Sequence, residues 1–275
     1  MKLLRPILLN LITWSIVLLI SFPLLWMIVT SLKPQTELFR IPPTWIPETV
    51  TFEHYWRLLS ETPFLLYFRN SVVLATSTTI FVVALGTLGA YSLVRFTYRG
   101  RETLAMLVLF TYLLPSVVLI IPLYLMMVSF GISNTLFSLI LAHTTFALPY
   151  ALWLLRSFME GIPEDLENAA LVDGASRIGA FRDVIFPQLL PGIISTALFT
   201  FILSWNEYLY ALVLVNSESV APLTTGVMSM LISAFNIEWS LLMAASVMMS
   251  LPLIVVFAFL QSYLTSGFGA GGVKG

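Results

Sequence analysis

The chain has 275 residues, of which 59% are apolar and only 10% charged, 13 basic and 14 acidic, for a formal net charge of −1, and its mean hydropathy is +0.95. A soluble domain carries about 25% charged residues; a chain this poor in charge would expose large apolar patches to water, which leaves an integral membrane protein. The charge balance, with no basic cluster among aromatics, excludes nucleic acid as a partner, and with no cysteine disulfides, zinc–thiolate sites and iron–sulfur clusters are excluded too.

A helix needs roughly 20 residues to cross about 30 Å of hydrocarbon. Arg5 and Lys33 enclose 27 uncharged residues. This stretch is too long for a signal-peptide h-region and lacks a small-x-small cleavage site, so residues 1–32 are read as a retained first span. Residues 33–68, with Pro42–Pro43, Trp45 and Trp56, suit a structured cap at the outer interface. Arg69 and Arg95 enclose 25 uncharged residues, a second span in which Thr76 to Thr79, Gly86 and Gly89 are close-packing residues. Glu102 and Arg156 enclose 53, enough for two spans around a turn at Gly131–Asn134. Asp183 to Glu207 and Glu238 to Lys274 enclose 23 and 35, the fifth and sixth spans, separated by an external loop at 216–238. Pro115, Pro122, Pro149 and Pro252 interrupt these helices and give candidate bends. The expected fold is all-α, with six transmembrane helices, five of them forming a core over 69–275.

Lys and Arg gather on the cytoplasmic side of short connections. With the N-terminus inside, Lys2, Arg5, Arg95, Arg99, Arg101, Arg156, Arg177, Arg182 and Lys274 are cytoplasmic, and Lys33, Arg40, Arg57 and Arg69 are external. Both termini are then cytoplasmic.

One cytoplasmic loop, 157–189, exceeds the 2 to 8 residues that usually join packed helices. Pro163, Glu164, Asp165 and Gly174 are the start and stop signals of a short helix, with Leu166, Ala169 and Ala170 on one narrow face. Ser176 can cap a second helix, with Ile178, Phe181 and Ile185 on one side and Pro187 as its limit. Periodicity alone fits an amphipathic interfacial hairpin equally well.

The run Glu167-Asn168-Ala169-Ala170-Leu171-Val172-Asp173-Gly174-Ala175, followed by Val184, Phe186 and Pro187, resembles the EAA loop of ABC importer permeases. Asn168 stands where the family usually has Glu, Val184 where it has Ile and Phe186 where it has Leu. Trp205-Asn206-Glu207-Tyr208, Pro222-Leu223-Thr224, Ala244-Ala245-Ser246, Leu251-Pro252 and Gly271 to Gly275 are similar to the maltose-type carbohydrate permeases. So are Trp26, Ser31-Leu32-Lys33, Pro42 and Asn70-Ser71, and the resemblance covers essentially the whole chain. It implies the type I ABC importer permease fold and a coupling helix that docks on a cytoplasmic ATPase through Asn168, Ala169, Ala170, Asp173 and Gly174. Asn168 cannot form a salt bridge, and Glu167, on a different helix face, is the nearest carboxylate to replace that charge. The implied partners are two ATPase subunits, where ATP binds, a homologous second permease and an extracytoplasmic sugar-binding protein, all alongside membrane lipid.

Inside the spans, Glu207 is a charge at bilayer depth and should face protein or a watery cavity. Trp205, Asn206, Glu207 and Tyr208 have the chemistry to line a sugar route; the same residues could equally hold helices or two permeases together. His143, midway along the fourth span, reads as an interhelical hydrogen-bonding residue or a part of that route. His54 lies in the outer segment, so the two histidines offer no metal site. The chain has no Gly-x-x-x-x-Gly-Lys-Ser/Thr and no protease motif, so the expected protein is a transport subunit and not an enzyme. A polyol or glycerol phosphate permease and a lone ion-coupled carrier using Glu207 are the alternatives, the latter without the repeats such carriers show.

Overall fold

The computed structural model describes residues 4–231 and 237–271; Lys2, Lys274 and part of the expected 216–238 loop lie outside them. Every regular element among the described residues is helical. Five helices are long and apolar enough to cross a membrane, and a sixth crossing is possible only by a bent pair. The chain divides into two compact units, 1–65 with 226–252 and 66–225 with 253–275.

The first unit holds α1 (Leu4–Ser31), α2 (Gln35–Leu38), α3 (Glu53–Ser60) and the start of α13 (Trp239–Gly271). No residue in the most apolar window of α1 is buried, so nearly all its leucines and isoleucines face outward. The segment after it is folded around Lys33, which is buried. The Lys33 ammonium donates to the Thr44 carbonyl and lies 4.9 Å from the Trp26 ring centre. The Lys33 carbonyl meets His54 Nε2 at 3.0 Å and accepts from the Ser240 hydroxyl at 3.1 Å. Glu37 accepts from the Thr44 hydroxyl at 2.5 Å and the Glu48 N–H at 3.1 Å. Arg57 reaches Glu238, just before α13, at 3.0 Å.

The second unit is built on α4 (Phe64–Arg95), α5 (Arg101–Leu113), α6 (Ser116–Ser129), α7 (Leu136–Glu160), α8 (Glu164–Val172), α9 (Arg177–Ala180), a π-turn at Phe181–Ile185, α10 (Phe186–Trp205), α11 (Leu209–Leu214), a 3₁₀ turn at Glu218–Val220, the start of α12 (Leu223–Leu231), whose later residues belong to the first unit, and the later part of α13. The expected third span is not one rod. Pro115 separates α5 from α6, which meet at 101°, because proline lacks the N–H that would continue the ladder and pushes the residue before it out of the α region. The expected turn at Gly131–Asn134 is present, with Gly131 and Asn134 at φ +70° and +59°. Asn134 Oδ1 there accepts from the Asn216 and Ser217 N–H groups at 2.9 and 3.1 Å. Thr135 then caps α7 by accepting from the Ser138 N–H at 3.1 Å.

The core of this unit runs along α7, which packs between α4 and α10. The expected close approach at Gly86 and Gly89 is observed: a Cβ there would stand 3.1 Å from the Leu155 side chain and 2.7 Å from that of Leu152. Gly192 performs the same service on α10, where a Cβ would fall 2.5 Å from Phe158 Cγ.

Candidate functional site

The loop over 157–189 forms the two expected helices. Pro163 precedes α8, which carries Glu164, Asp165 and Glu167 in its first turn, favourable charges at the positive end of the helix dipole. The helix ends in a Schellman turn: Ala175 N–H donates to the Ala170 carbonyl at 3.0 Å and Gly174 N–H to that of Leu171 at 3.1 Å, with Gly174 at φ +91°. Ser176 caps α9 by accepting from the Gly179 N–H at 3.1 Å. Two expectations fail beyond this point. Pro187 does not end the second helix; the backbone continues into α10, and the wide π-turn removes the clash that a proline ring would make with the carbonyl four residues back. Nor do Ile178, Phe181 and Ile185 share a buried side, because the π-turn shifts the register: Ile185 is fully buried while Ile178 is 79% exposed.

The predicted docking residues divide into two faces. Asn168, Ala169, Asp173 and Gly174 are exposed and Ala170 is half-buried. Leu166 and Val172 add apolar surface to the exposed side. Glu167 points the other way. Its carboxylate is buried against α4, where it forms an ion pair with Arg95 at 3.0 Å and accepts from the Tyr91 hydroxyl at 2.5 Å. It therefore cannot replace the charge missing at Asn168 on the exposed face.

The second polar locus joins α7, α10 and α11. His143 is fully buried; its Nδ1 lies 2.8 Å from the Ser204 hydroxyl and its Nε2 3.4 Å from Glu207 Oε2. Glu207 also accepts from the Tyr210 and Ala211 N–H groups at 2.8 and 3.2 Å, satisfying two donors that the first turn of α11 leaves free. Trp205 is buried, stacked on Phe201 at 5.6 Å and edge-on to Phe68 at 5.9 Å.

A cavity of about 490 Å³ opens beside this cluster, lined by Tyr112, Tyr150, Phe199, Ile202, Leu203, Asn206 and Glu207. Of the five residues expected on a sugar route, Asn206 and Glu207 are in the lining of this cavity and His143, Trp205 and Tyr208 are not. Tyr112, Tyr150 and Phe199 were missed by sequence reasoning, and their one legible sign is the placement of Tyr112 and Tyr150 near the proline breaks at Pro115 and Pro149. No group of three metal-ligating side chains occurs among the described residues.

Residues 83–269 match the family described as "Binding-protein-dependent transport system inner membrane component". The chain belongs to this family. It is 35% identical over 92% of its length to the inner membrane ABC transporter permease protein YcjP of Escherichia coli strain K12, covering 91% of that protein. It is 33% identical to the trehalose/maltose transport system permease protein MalG of Thermococcus litoralis, over 92% of this chain and 91% of the relative. Its fold matches a solved bacterial ABC transporter that imports the acidic polysaccharide alginate, with a TM-score of 0.83, 21% identity, and coverage of 95% of this chain and 96% of the other. The expected permease family and its all-α fold are borne out, and the chain is a multi-pass inner-membrane transport component, not an enzyme.

Proposed function

We propose that this chain is one permease subunit of an ATP-driven, binding-protein-dependent sugar importer, forming half of the translocation path with a homologous second permease. The observation that carries the reading is the exposed face of α8, where Ala169 stands among Leu166, Val172, Asp165 and Asp173 and the described residues leave it uncovered. One of the importer's two ATPase subunits docks there through Asn168, Ala169, Ala170, Asp173 and Gly174, and ATP is bound and hydrolysed on the ATPases, since this chain carries no phosphate-binding glycine loop. An extracytoplasmic binding protein delivers the sugar to the opposite side. Both termini and the 157–189 loop are cytoplasmic, and the segment 33–68 and the loop 216–238 are external.

The sugar class rests on the trehalose/maltose relative and on the cavity chemistry. Sugars present hydroxyls to groups such as Asn206 and Glu207 and C–H faces to rings such as Tyr112, Tyr150 and Phe199. A carboxylate in the lining and no Lys or Arg there favour a neutral sugar over a glycerol phosphate. His143 supports Glu207 of this wall from behind. Glu207 is occupied by two backbone donors and His143, which argues against its use as the coupling carboxylate of an ion-driven carrier.

The test is a photo-crosslinking residue at position 169 in native membranes. Capture of an ATPase subunit is expected, lost when the same probe is moved to the buried position 185. A probe at 169 that captured only lipid would defeat the docking assignment.

A further inference from the structure

Three elements meet where the end of α4 passes the docking helix. Arg95, the last residue of α4, and Glu167 have side chains only 4% and 5% exposed, and Arg95 Nε lies 3.0 Å from Glu167 Oε2. A second Arg95 nitrogen donates to the Ile162 carbonyl at 2.8 Å, in the turn leading into α8. One turn earlier on α4, the Tyr91 hydroxyl donates to Glu167 Oε1 at 2.5 Å. The Tyr91 ring packs edge-on against Phe181, the first residue of the π-turn, at 4.9 Å. Glu167 is thus tied to α4 by a hydrogen bond at Oε1 and by charge at Oε2, which is close to Arg95 Nε but has no hydrogen bond of its own, and α4 in turn touches the head of α10.

The nature of these contacts matters more than their strength. Apolar surfaces can slip past each other, and a buried ion pair adds little stability over apolar residues of the same volume. It does resist displacement, because any slip leaves a charge unpaired in a low dielectric. The other charged contacts nearby are of a different kind. Arg156 reaches Glu160 and Glu102 at 2.8 and 3.2 Å, but both carboxylates are about half exposed, and such pairs hold geometry weakly.

We infer that Arg95, Glu167 and Tyr91 form a rigid joint that passes movement of the docking helix to α4 and, through Phe181, to the π-turn at the head of α10. Glu167 is then a positioning residue of the transport cycle that faces away from the ATPase. A π-turn suits the receiving end, since its wider ring marks a functional departure from the regular ladder. This inference rests on the docking reading above.

The test uses the complete complex with spin labels at two exposed positions, 168 on α8 and 88 on α4, compared without nucleotide and after trapping with ATP and vanadate. A joint predicts that the labels keep their separation to within about 2 Å while the ATPases close, the scale of ordinary helix shifts at interfaces. Arg95→Gln and Glu167→Gln should each let the separation change or broaden on trapping, and the double variant should do no more than either single, because one joint is broken only once. Glu167→Asp, which keeps the charge but withdraws it by one methylene, replaces the neutral variants if they fail to accumulate, and should show the same loosening. The inference is overturned if the parent separation moves beyond that limit on trapping, if the variants keep the parent's fixed separation, or if the two single effects sum in the double. Absence of capture by the probe at position 169 in the parent protein would instead defeat the docking reading.

Discussion

Gly174 shows how much a single backbone angle can decide. Its φ is +91° and a Cβ there would meet nothing within 4 Å, so a substitution is penalised by conformation and not by space. The left-handed region costs an L-residue about 1–2 kcal/mol, and Gly174→Ala is expected to incur nearly all of it, with larger side chains adding little within this chain. In the assembled importer, where the ATPase docks at this position, sugar uptake should fall with Gly174→Ala and fall further with Gly174→Leu; equal losses would show that no partner fills that space. The sequence marks this glycine as a helix stop, and its angle is what the stop requires. Glu207 was legible in a weaker sense. An acid in an apolar run demands a partner, but the partners, His143 and the first turn of α11, come from contacts that sequence spacing does not encode.

At the scale of elements, the outer segment carries a titratable fold. The Thr44 hydroxyl, then the Glu48 N–H and the nearby Lys33 ammonium, hold the Glu37 carboxyl below the usual glutamate range against the opposing effect of burial. A carboxyl whose folded pKa is depressed gives its full stabilisation above the unfolded pKa and loses it as pH falls through the folded value. The segment 33–52 should therefore grow more sensitive to pepsin as pH drops below about 4, and Glu37→Gln should be more sensitive at the upper end of that range and flatter with pH. A wild-type digestion rate that did not change across this window, relative to an unfolded control peptide, would rule the account out. Helix α8 was readable from Pro163 and Gly174, because caps are local chemistry. The π-turn was not: proline signals an interruption, and only the packing of Phe181 and Ile185 decides whether the chain stops or widens and continues.

For the whole molecule, the scarcity of charge fixed the membrane class and the uncharged stretches fixed where the long helices lie, since burial of backbone in lipid leaves helices as the available solution. Which residues face the cavity was not legible, because in a bundle apolar on every side the hydrophobic pattern no longer separates interior from exterior. A chain without a nucleotide site should be idle alone. Purified and placed in liposomes, it is expected to show no uptake of labelled maltose or trehalose under an imposed proton or sodium gradient; gradient-driven accumulation would revive the ion-coupled carrier.

The corner at Pro115 carries one more implication. Its arms have 13 and 14 residues, about 20 and 21 Å at 1.5 Å per residue, each shorter than roughly 30 Å of acyl chain. An elbow of two such stubs cannot seal a slab of lipid as a rod does. On that flank the barrier must be completed by something other than an undisturbed bilayer, and leakiness should begin there when the subunit stands by itself.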